Sequence, residues 1–492
     1  MKQSQKGLVF EEATIFGRGS AGRVGVDIQM DGLPELDLAE TFGIDALRSP
    51  IAGFPELSEP EVIRHYTRLS QWNYGVDSNL YPLGSCTMKH NPRVNEAVAR
   101  MAGFTRLHPM QPDTAAQGTL RMMHDLALWL SELTGLPGCT LQPAAGAHGE
   151  FTGLLMIRAA LTKRGDARKK ILLPDSAHGT NPASAVYCGY EAVTIKSNAA
   201  GKIDLVELAE KMDDTVAALM VTNPNTLGVF ESDIAEAARI VHDRGGFVYC
   251  DGANMNAVMG KARFGDMGID VCHLNLHKSF STPHGGGGPG AGPVCVGKEL
   301  IPFLPTPVVV KTEDGYTLAT DRPDSVGRVH AHFGNVGILL RAAAYLLTMG
   351  PDGIREAAEA AVINANYIKA RLKGHYHVPI EGHCLHECVL NDQIQQEHHV
   401  STLDIAKGLI DRGFHPPTIY FPLIVKGAMM IEPTETESKE TLDAFIEAMI
   451  AIAEQAKSDP DSLHAAPTMA VRRRLDEATA ARNPELTCGL CR

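Results

Sequence analysis

The segment His273-Leu-Asn-Leu-His-Lys278-Ser-Phe280 places a lysine directly after a short apolar stretch and just before the run Gly285-Gly-Gly-Gly-Pro-Gly290. An amine among apolar residues is favoured in its neutral form, which is nucleophilic towards an aldehyde. A run of glycines lets the backbone approach a ligand closely. The segment differs from a nucleotide P-loop, because the lysine precedes the glycines and no Gly-Lys-Ser/Thr ending is present. Lys278 is therefore the first candidate for a catalytic residue.

Short apolar strands alternate with helical patterns around this segment. The pattern predicts strands at 170–174, 217–222, 247–250 and 293–296, and helices at 149–164, 204–213 and 233–244. Such alternation is typical of an α/β fold with a mainly parallel sheet covered on both faces. Ligands bind at the carboxyl ends of the strands in such a sheet. Polar residues that directly follow strands are therefore the candidates for a site.

Four further groups of candidates follow predicted strands. The turn Gln142-Pro-Ala-Ala-Gly-Ala-His148 opens a helix, whose free N–H groups suit a phosphate, although an ordinary tight turn has the same appearance. His178 could stack on a planar ring, although a structural histidine is the more common case. Asn225 and Thr226 offer polar groups. Asp251 ends a buried strand, where a carboxylate requires a cationic partner.

The order of these groups along the chain is more informative than any one of them. Pyridoxal phosphate needs a phosphate site, a ring platform, a carboxylate for its pyridinium nitrogen and a lysine for an imine. The chain offers such groups in that order at successive strand ends. This order favours a pyridoxal-phosphate enzyme with the cofactor on Lys278, while separate structural roles for the individual residues stay open.

Composition and charge narrow the class of protein. The chain has 492 residues with 44% hydrophobic and 21% charged residues, as in an ordinary globular protein. The net charge of -13 argues against non-specific binding to nucleic acid or to an anionic membrane. The first ten residues lack the apolar core of a secretion signal, and no apolar run approaches the ~18 residues of a membrane span. The ten scattered cysteines suit reduced thiols, which predicts a cytoplasmic protein.

The periodicity predicts four parts of the chain. These are an irregular N-terminal arm at 1–60, a large domain at 61–335, a small α+β domain at 336–460 and an exposed tail at 461–492. Helices are expected at 114–133 before the sheet, and at 337–349, 354–372, 402–412 and 438–457 after it, with strands at 378–390 and 419–431.

Two groups of cysteines have residue types that could ligate a metal. The stretch His383-Cys-Leu-His-Glu-Cys388 contains suitable ligands, but its alternation favours a strand, on which alternate residues face opposite sides. Cys488 and Cys491 lack a second pair of ligands nearby, and zinc needs about four. We therefore predict no metal site.

Several long motifs resemble one known family, the glycine decarboxylase P-proteins of the glycine cleavage system. They are Pro82-Leu-Gly-Ser-Cys-Thr-Met-Lys89, Ala177-His-Gly-Thr-Asn-Pro-Ala-Ser184, the lysine segment with Pro283-His-Gly-Gly-Gly-Gly-Pro-Gly290, Asn364-Ala-Asn-Tyr367 and Glu432-Pro-Thr-Glu435. The likeness runs from about residue 40 to 460 and concerns the C-terminal half of that protein, the lysine-bearing second subunit. The departures from the family cluster in the terminal segment from Glu485 to Arg492, which leaves a local thiol or metal function there open.

The resemblance implies a fold and roles for the candidates. The fold would be that of pyridoxal-phosphate enzymes of fold type I, which resembles aspartate aminotransferase. Lys278 would carry the cofactor, and His277 would lie beside it. The other expected cofactor contacts are Asp251 at the pyridinium nitrogen, His178 on the ring, Thr226 at the ring oxygen, and Ala145, Gly146 and Ala147 at the phosphate. Ser85, Thr87, Lys89 and His108 would belong to the substrate site.

The resemblance also implies a reaction and partners. Glycine would lose its carboxylate as carbon dioxide, and its aminomethyl group would pass to the lipoyl arm of H-protein. The partner would be subunit 1, in a tetramer with two copies of each subunit, and the N-terminal arm would suit wrapping around it. Another activity of fold type I, such as an amino-acid decarboxylase or a cysteine desulfurase, is the alternative. A non-catalytic structural subunit is a further alternative, but such a subunit is expected to lack the lysine.

Overall fold

The computed structural model describes residues 5–6, 9–10, 12–26, 31–49, 51–108, 111–284 and 290–486. The chain forms two compact units, one made of Met1–Gly75 with Ala465–Arg492 and the other of Val76–His464. The domain boundaries inferred from the sequence stay predictions. No helix among these residues is long and apolar enough to cross a bilayer.

The strands are β1 Gln5–Lys6, β2 Val9–Phe10, β3 Gly138–Thr140, β4 Lys170–Pro174, β5 Glu191–Ile195, β6 Val216–Thr222, β7 Phe247–Gly252, β8 Val271–Leu274, β9 Val294–Val296, β10 Val308–Thr312, β11 Gly315–Ala319, β12 Cys388–Asn391, β13 Thr418–Ile419 and β14 Ala428–Ile431. The helices are α1 Leu38–Phe42, α2 Glu59–Ser70, α3 Arg93–Ala99, α4 Ala102–Thr105, α5 Gln117–Thr134, α6 Gly146–Lys163, α7 Thr180–Tyr187, α8 Leu205–Lys211, α9 Ile234–His242, α10 Leu276–Ser279, α11 Val336–Leu372, α12 Thr402–Asp411, α13 Lys439–Ser458, α14 Pro460–Ala465 and α15 Glu477–Arg482.

A seven-stranded sheet with the order β3-β9-β8-β7-β6-β4-β5 forms the centre of the Val76–His464 unit. The neighbours from β8 to β5 pair in parallel, and β9 pairs antiparallel with both β8 and β3. The predicted mainly parallel sheet is thus confirmed. Because the parallel strands run in one direction, the residues that follow β4, β6, β7 and β8 meet at one edge.

Helices cover both faces of this sheet, because successive residues of its strands point to opposite sides. Leu219 and Val248 pack into one hydrophobic cluster with residues of α5, α9 and α11. Met220 and Tyr249, which follow them in sequence, pack into a second cluster with residues of α6 and α7. Strands buried on both faces explain the continuous apolar runs of the sequence.

A smaller antiparallel sheet has the order β12-β14-β13 and packs with α11, α12 and α13. The predicted helices at 337–349 and 354–372 are present as parts of α11, which is interrupted at Gly350, where φ is 63° and Pro351 follows. The helices at 402–412 and 438–457 are present as α12 and α13.

The predicted strand at 378–390 is wrong over most of its length, because β12 begins only at Cys388. The backbone groups before Cys388 form hydrogen bonds with other parts of the chain. The side chain of Asn366 bonds both N–H and C=O of Cys384, and the Leu385 N–H donates to the Gly228 carbonyl. These bonds replace a strand ladder, and they direct residues 383–387 towards the edge of the large sheet.

Candidate active site

A cavity of about 250 Å³ opens at the carboxyl edge of the seven-stranded sheet. Nine of the twelve site residues that the sequence predicted line it: Ser85, Ala145, Gly146, Ala147, His178, Thr226, Asp251, His277 and Lys278. They come from four strand ends and two turns, so the fold brings together residues almost two hundred positions apart. Their individual roles stay predictions.

Lys278 is held by the short helix α10, which directly follows β8. The neighbouring residues Leu276 and Ser279 are fully buried and fix the helix, while Lys278 is only partly buried and its side chain lines the cavity. Burial and the charges of His284 and Lys278 lower the pKa of His277 to about 3, so its imidazole is neutral. Among the described residues, Lys278 is thus the only lysine that lines the cavity.

Asp251 occupies the end of β7 and is 3% exposed. Its Oδ1 accepts a hydrogen bond from the Ala253 N–H at 2.9 Å, and its Oδ2 accepts one from the Asn181 amide at 3.0 Å. Burial alone would raise the pKa of Asp251, but His273, the Asn181 bond and the charge of Lys278 outweigh it and hold this pKa below its usual value. Asp251 is therefore a buried carboxylate anion at neutral pH.

His273 lies beside Asp251 on the adjacent strand β8, and Tyr249 contacts His273. His273 Nε2 is 3.3 Å from Asp251 Oδ1, and the Tyr249 hydroxyl is 2.8 Å from His273 Nδ1. Burial raises the pKa of Tyr249 well above its usual value, so the phenol is neutral. The imidazole of His273 contacts the Tyr249 hydroxyl through Nδ1, and its Nε2–H can donate to Asp251. This chain of hydrogen bonds orients the carboxylate.

The N-terminus of α6 forms one wall of the cavity. Its N-cap is Ala145, which has no side-chain acceptor for the first N–H groups of the helix. A Cβ on Gly146 would lie 2.5 Å from Asn275 Oδ1, and one on Gly292 would lie 2.0 Å from the Ala145 carbonyl oxygen. Glycine is therefore required at both positions for this close packing. The helix dipole and the free N–H groups favour an anion at this wall.

His178 and Thr226 line the cavity from the ends of β4 and β6. His178 Nδ1 is 2.9 Å from the Thr180 hydroxyl, which donates to buried Glu150 at 2.7 Å. The Thr226 hydroxyl donates to the Ser176 carbonyl at 2.6 Å, which leaves its oxygen lone pairs for another donor. Both side chains are thus held in fixed orientations at the cavity.

The four predicted substrate residues are placed differently from one another. Ser85 lines the cavity, whereas Thr87 bonds to Glu432 behind it. Lys89 is 3% exposed and pairs with Glu435 at 2.7 Å. His108 lines a separate, more apolar cavity of about 230 Å³ with Phe104 and Phe333. The assignment of Thr87, Lys89 and His108 to the substrate site stays a prediction.

The cavity fits a polar, anionic ligand such as pyridoxal phosphate. Among the described residues, Thr222 Oγ1, Asn275 Oδ1 and His277 Nδ1 have no hydrogen-bond partner, and all three residues line the cavity. Buried polar atoms are rarely left unpaired, so such atoms at a cavity indicate a ligand. The helix N-terminus, the carboxylate and the lysine supply the other groups that the cofactor requires.

Sequence reasoning missed several residues of the cavity. Glu150, Thr222, Asn275 and His273 line it but were not predicted. Thr222 ends the predicted strand at 217–222, so the strand-end rule could have found it, whereas Asn275 follows β8, which was not among the predicted strands. His273 faces the cavity because it lies directly opposite Asp251 in the parallel pair of β7 and β8, which requires the register to be known.

Comparisons with known proteins agree with this arrangement. The model of the family "Glycine dehydrogenase, C-terminal domain" matches residues 357–470, and that of "Aminotransferase class-V" matches residues 152–305. The crystal structure of an inhibitor-bound glycine decarboxylase (P-protein) of the glycine cleavage system aligns with a TM-score of 0.71 and 25% identity over 85% of this chain and 94% of that one. The apo cysteine desulfurase of Thermococcus onnurineus aligns with a TM-score of 0.59 at 15% identity over 77% of this chain and 95% of that one, which shows the fold alone.

These neighbours confirm the predicted fold type I of pyridoxal-phosphate enzymes. A protein of Listeria welshimeri with the name "Probable glycine dehydrogenase (decarboxylating) subunit 2" is 55% identical over 473 residues, which are 96% of this chain and 97% of the relative. An identity of this size over nearly the whole length of both chains shows a common family and not only a common fold. The chain therefore belongs to the glycine dehydrogenase (decarboxylating) subunit 2 family.

Proposed function

We propose that the chain decarboxylates glycine with pyridoxal phosphate carried on Lys278, releases carbon dioxide and transfers the aminomethyl group to the lipoyl arm of H-protein. The observation that carries the proposal is the position of Lys278 in one cavity with Asp251, His178 and the N-terminus of α6. The full-length likeness to glycine dehydrogenase subunit 2 supports glycine as the substrate over the amino acids of other fold-type-I enzymes.

When it is bound, pyridoxal phosphate supplies an aldehyde that attaches to an amine and a ring that accepts the electrons of a bond broken at the carbon beside it. The amine for this attachment is that of Lys278. Asp251 is the residue that holds a proton at the ring nitrogen, because a buried carboxylate anion favours a positive charge next to it. His273 and Tyr249 keep that carboxylate oriented.

The other residues bind and orient. The N–H groups of Gly146 and Ala147 at the start of α6 bind the phosphate. His178 provides a flat surface for the ring, and the Thr226 hydroxyl, which donates to the Ser176 carbonyl, accepts from the ring oxygen. Ser85 is the substrate residue with the best support, because it lines the cavity together with Lys278.

The proposed partners are subunit 1, in a tetramer with two copies of each subunit, and lipoylated H-protein. The word "subunit 2" in the names of the relatives supports a subunit 1. So does the surface of the Met1–Gly75 segment, where large apolar side chains such as Val26, Phe42, Ile44 and Phe54 are 64–75% exposed. Apolar residues exposed at this density mark a surface that another protein covers.

We place the reaction in the cytoplasm. The cysteine usage supports this, because the eight cysteines among the described residues are free thiols and five of them lie in the sheets.

The decisive experiment uses the chain co-expressed with its partner subunit and measures glycine-dependent exchange of labelled bicarbonate. Lys278→Ala should abolish the exchange and also the absorbance band near ~420 nm that borohydride removes, since that band reports the lysine imine. Lys298→Ala, at an exposed lysine further along the chain, is the matched control and should retain both. Exchange that survives in Lys278→Ala would contradict the proposal. Release of carbon dioxide without any need for lipoylated H-protein would assign a simple decarboxylase instead.

A further inference from the structure

Two carboxyl groups outside the cavity face each other at the end of the small sheet. Cys388 of β12 lies opposite Ile431 of β14 in the antiparallel pair, so Glu387 and Glu432, one position further on, are opposite as well. Glu387 is 0% and Glu432 1% exposed. We call these two residues the carboxyl pair. Buried carboxyl groups at this position need hydrogen-bond donors, and one short segment of the chain provides them.

That segment is the turn Gly84–Thr87, which we call the Ser85 turn. The Ser85 N–H donates to Glu387 Oε2 at 2.9 Å. The N–H groups of Cys86 and Thr87 both donate to Glu432 Oε2, at 3.1 and 3.0 Å, and the Thr87 hydroxyl donates to Glu432 Oε1. Three successive backbone N–H groups are thus bound by the carboxyl pair.

The conformation of the Ser85 turn requires such support. Ser85 has a φ of 64° and Thr87 a φ of 45°, both in the left-handed region that costs free energy for residues with a Cβ. Gly84 lies so close to β14 that a Cβ would be 2.2 Å from Met430 Cγ, and its N–H and C=O bond the Met430 carbonyl and the Thr418 hydroxyl. The bonds to Met430 and Thr418 hold Gly84 at the start of the turn, and the carboxyl pair holds the three residues that follow.

The Ser85 turn leads into the active site. Ser85 lines the cavity together with Lys278, whereas neither member of the carboxyl pair lines it. The backbone of Glu387 is also tied to the ring-binding side of the cavity, because a Cβ on Gly228 would lie 2.2 Å from the Glu387 carbonyl oxygen, two residues after Thr226. We propose that Glu387 and Glu432 are positioning residues that hold the Ser85 turn so that the Ser85 hydroxyl faces the reacting carbon beside Lys278. This inference rests on the proposed function for the identity of the substrate.

The two members of the pair differ in the number of donors that they bind. Burial and the neighbouring Glu432 raise the pKa of Glu387 well above its usual value, so Glu387 is a neutral acid. Its Oε2 needs only to accept a hydrogen bond, which the oxygen of a glutamine does equally well. Glu432 accepts three hydrogen bonds through both of its oxygens, and the Nε2 of His386, whose pKa burial lowers, lies 3.7 Å away. Glutamine is therefore a good substitute for Glu387 and a poor one for Glu432.

The first experiment measures glycine-dependent bicarbonate exchange of the complex with its partner subunit. We expect Glu387→Ala to lower kcat, Glu387→Gln to restore it, and Glu432→Gln to lower kcat by about 10²-fold, the cost of a misplaced group at a reacting centre. Glu397→Gln, at an exposed glutamate, is the matched control. If Glu387→Ala behaves like this control, or if Glu387→Gln is as poor as Glu387→Ala, the positioning role of that residue is wrong.

The second experiment asks whether the carboxyl pair acts through Ser85. In the Ser85→Ala background, Glu432→Gln should cause no further loss of kcat, because the group that it positions is already missing. Losses that multiply in the double variant would overturn the proposal. This comparison needs only the glutamine variant, so it holds even if Glu432→Ala does not fold.

The third experiment is independent of the substrate and of activity. Amide hydrogen exchange is followed at residues 84–88 in the chain without cofactor. Glu432→Gln should accelerate exchange at Cys86 and Thr87, Glu387→Ala should accelerate it at Ser85, and Glu397→Gln should leave it unchanged. Unchanged exchange in both pair variants would contradict the proposal, whereas faster exchange together with an absence of glycine activity in the wild type would contradict only the proposed function.

Discussion

His273 Nε2 lies 3.3 Å from Asp251 Oδ1, and neither side chain is more than 4% exposed. Asp251 therefore has a buried imidazole as its neighbour on the adjacent strand β8. Its carboxylate is oriented before any ligand enters, which is the condition under which a buried charge acts most strongly on a reacting group.

Asp251→Asn should lower kcat by about 10²–10³-fold, because a neutral amide does not favour a proton at the ring nitrogen. The cofactor should still attach to Lys278, since the lysine and the N-terminus of α6 are unchanged. The measurements are bicarbonate exchange and the mass of the borohydride-reduced chain. Asp214→Asn, at an exposed aspartate, is the control. Full activity in Asp251→Asn would contradict the role given to this carboxylate.

Tyr249→Phe should destabilise the chain by about 1–3 kcal/mol, because it leaves buried His273 Nδ1 without its partner at 2.8 Å. It should lower kcat less than Asp251→Asn does, since the carboxylate remains and only its orientation relaxes. Thermal unfolding and bicarbonate exchange test the two effects. Tyr187→Phe, where the side chain is 79% exposed, should change neither.

Acid should destabilise the fold through His277 and His284. Burial is the main cause that lowers the pKa of His277 to about 3 and that of His284 to about 4. An unfolded histidine titrates near ~6.5. Between these values the unfolded chain binds protons that the folded chain does not. The free energy of unfolding therefore increases with pH in this range, and the fold loses stability as the pH falls from ~6.5 towards ~4.

His284→Gln removes one of these titrations. The slope of unfolding free energy against pH should therefore decrease by up to about 1.4 kcal/mol per pH unit in that window. Urea unfolding at several pH values measures the slope. His148, His386 and His415 also have lowered pKa values and contribute to both proteins, so only the difference between them is informative. Equal slopes would show that His284 is not protected from protons in the folded state.

Lys89→Met should cost about 3–5 kcal/mol of stability, because it leaves Glu435 in a buried position without its cation. Burial alone would lower the pKa of Lys89, but Glu435 and Tyr345 raise it, so Lys89 is a cation beside Glu435. The double variant Lys89→Met with Glu435→Gln should recover part of the loss. A raised KM for glycine with unchanged stability would instead support the substrate-binding role predicted from the sequence.

The sequence is informative where the fold follows a general rule. Polar residues after parallel strands meet at one edge, so the order of strands and polar residues along the chain is enough to predict Asp251, His178 and Lys278 as neighbours. Where contacts depend on register, no such rule applies. Cys139, Cys295, Cys272 and Cys250 are scattered in sequence, yet they lie side by side on four adjacent strands.

The contact between Glu387 and Glu432 could not be predicted from the sequence, for a further reason. Glu432 belongs to a family motif, but its partner Glu387 falls in a stretch whose alternation indicates a strand. The structure contains a turn there instead, because Asn366 and Gly228 bind the backbone from distant parts of the chain. The local periodicity of a sequence does not show which distant residues will bond to its backbone.

The contact between the Ser85 turn and the carboxyl pair spans 302 residues to Glu387 and 345 to Glu432. On the ribosome, the Ser85 turn is synthesised early but cannot bind both glutamates until residue 432 has emerged. A contact of such long sequence separation forms late in folding, because the loop entropy must be overcome first. Nascent chains and truncated fragments that end before residue 432 would therefore have the lysine and the sheet but an unsupported Ser85 turn, so this wall of the cavity is completed only after residue 432 has been made.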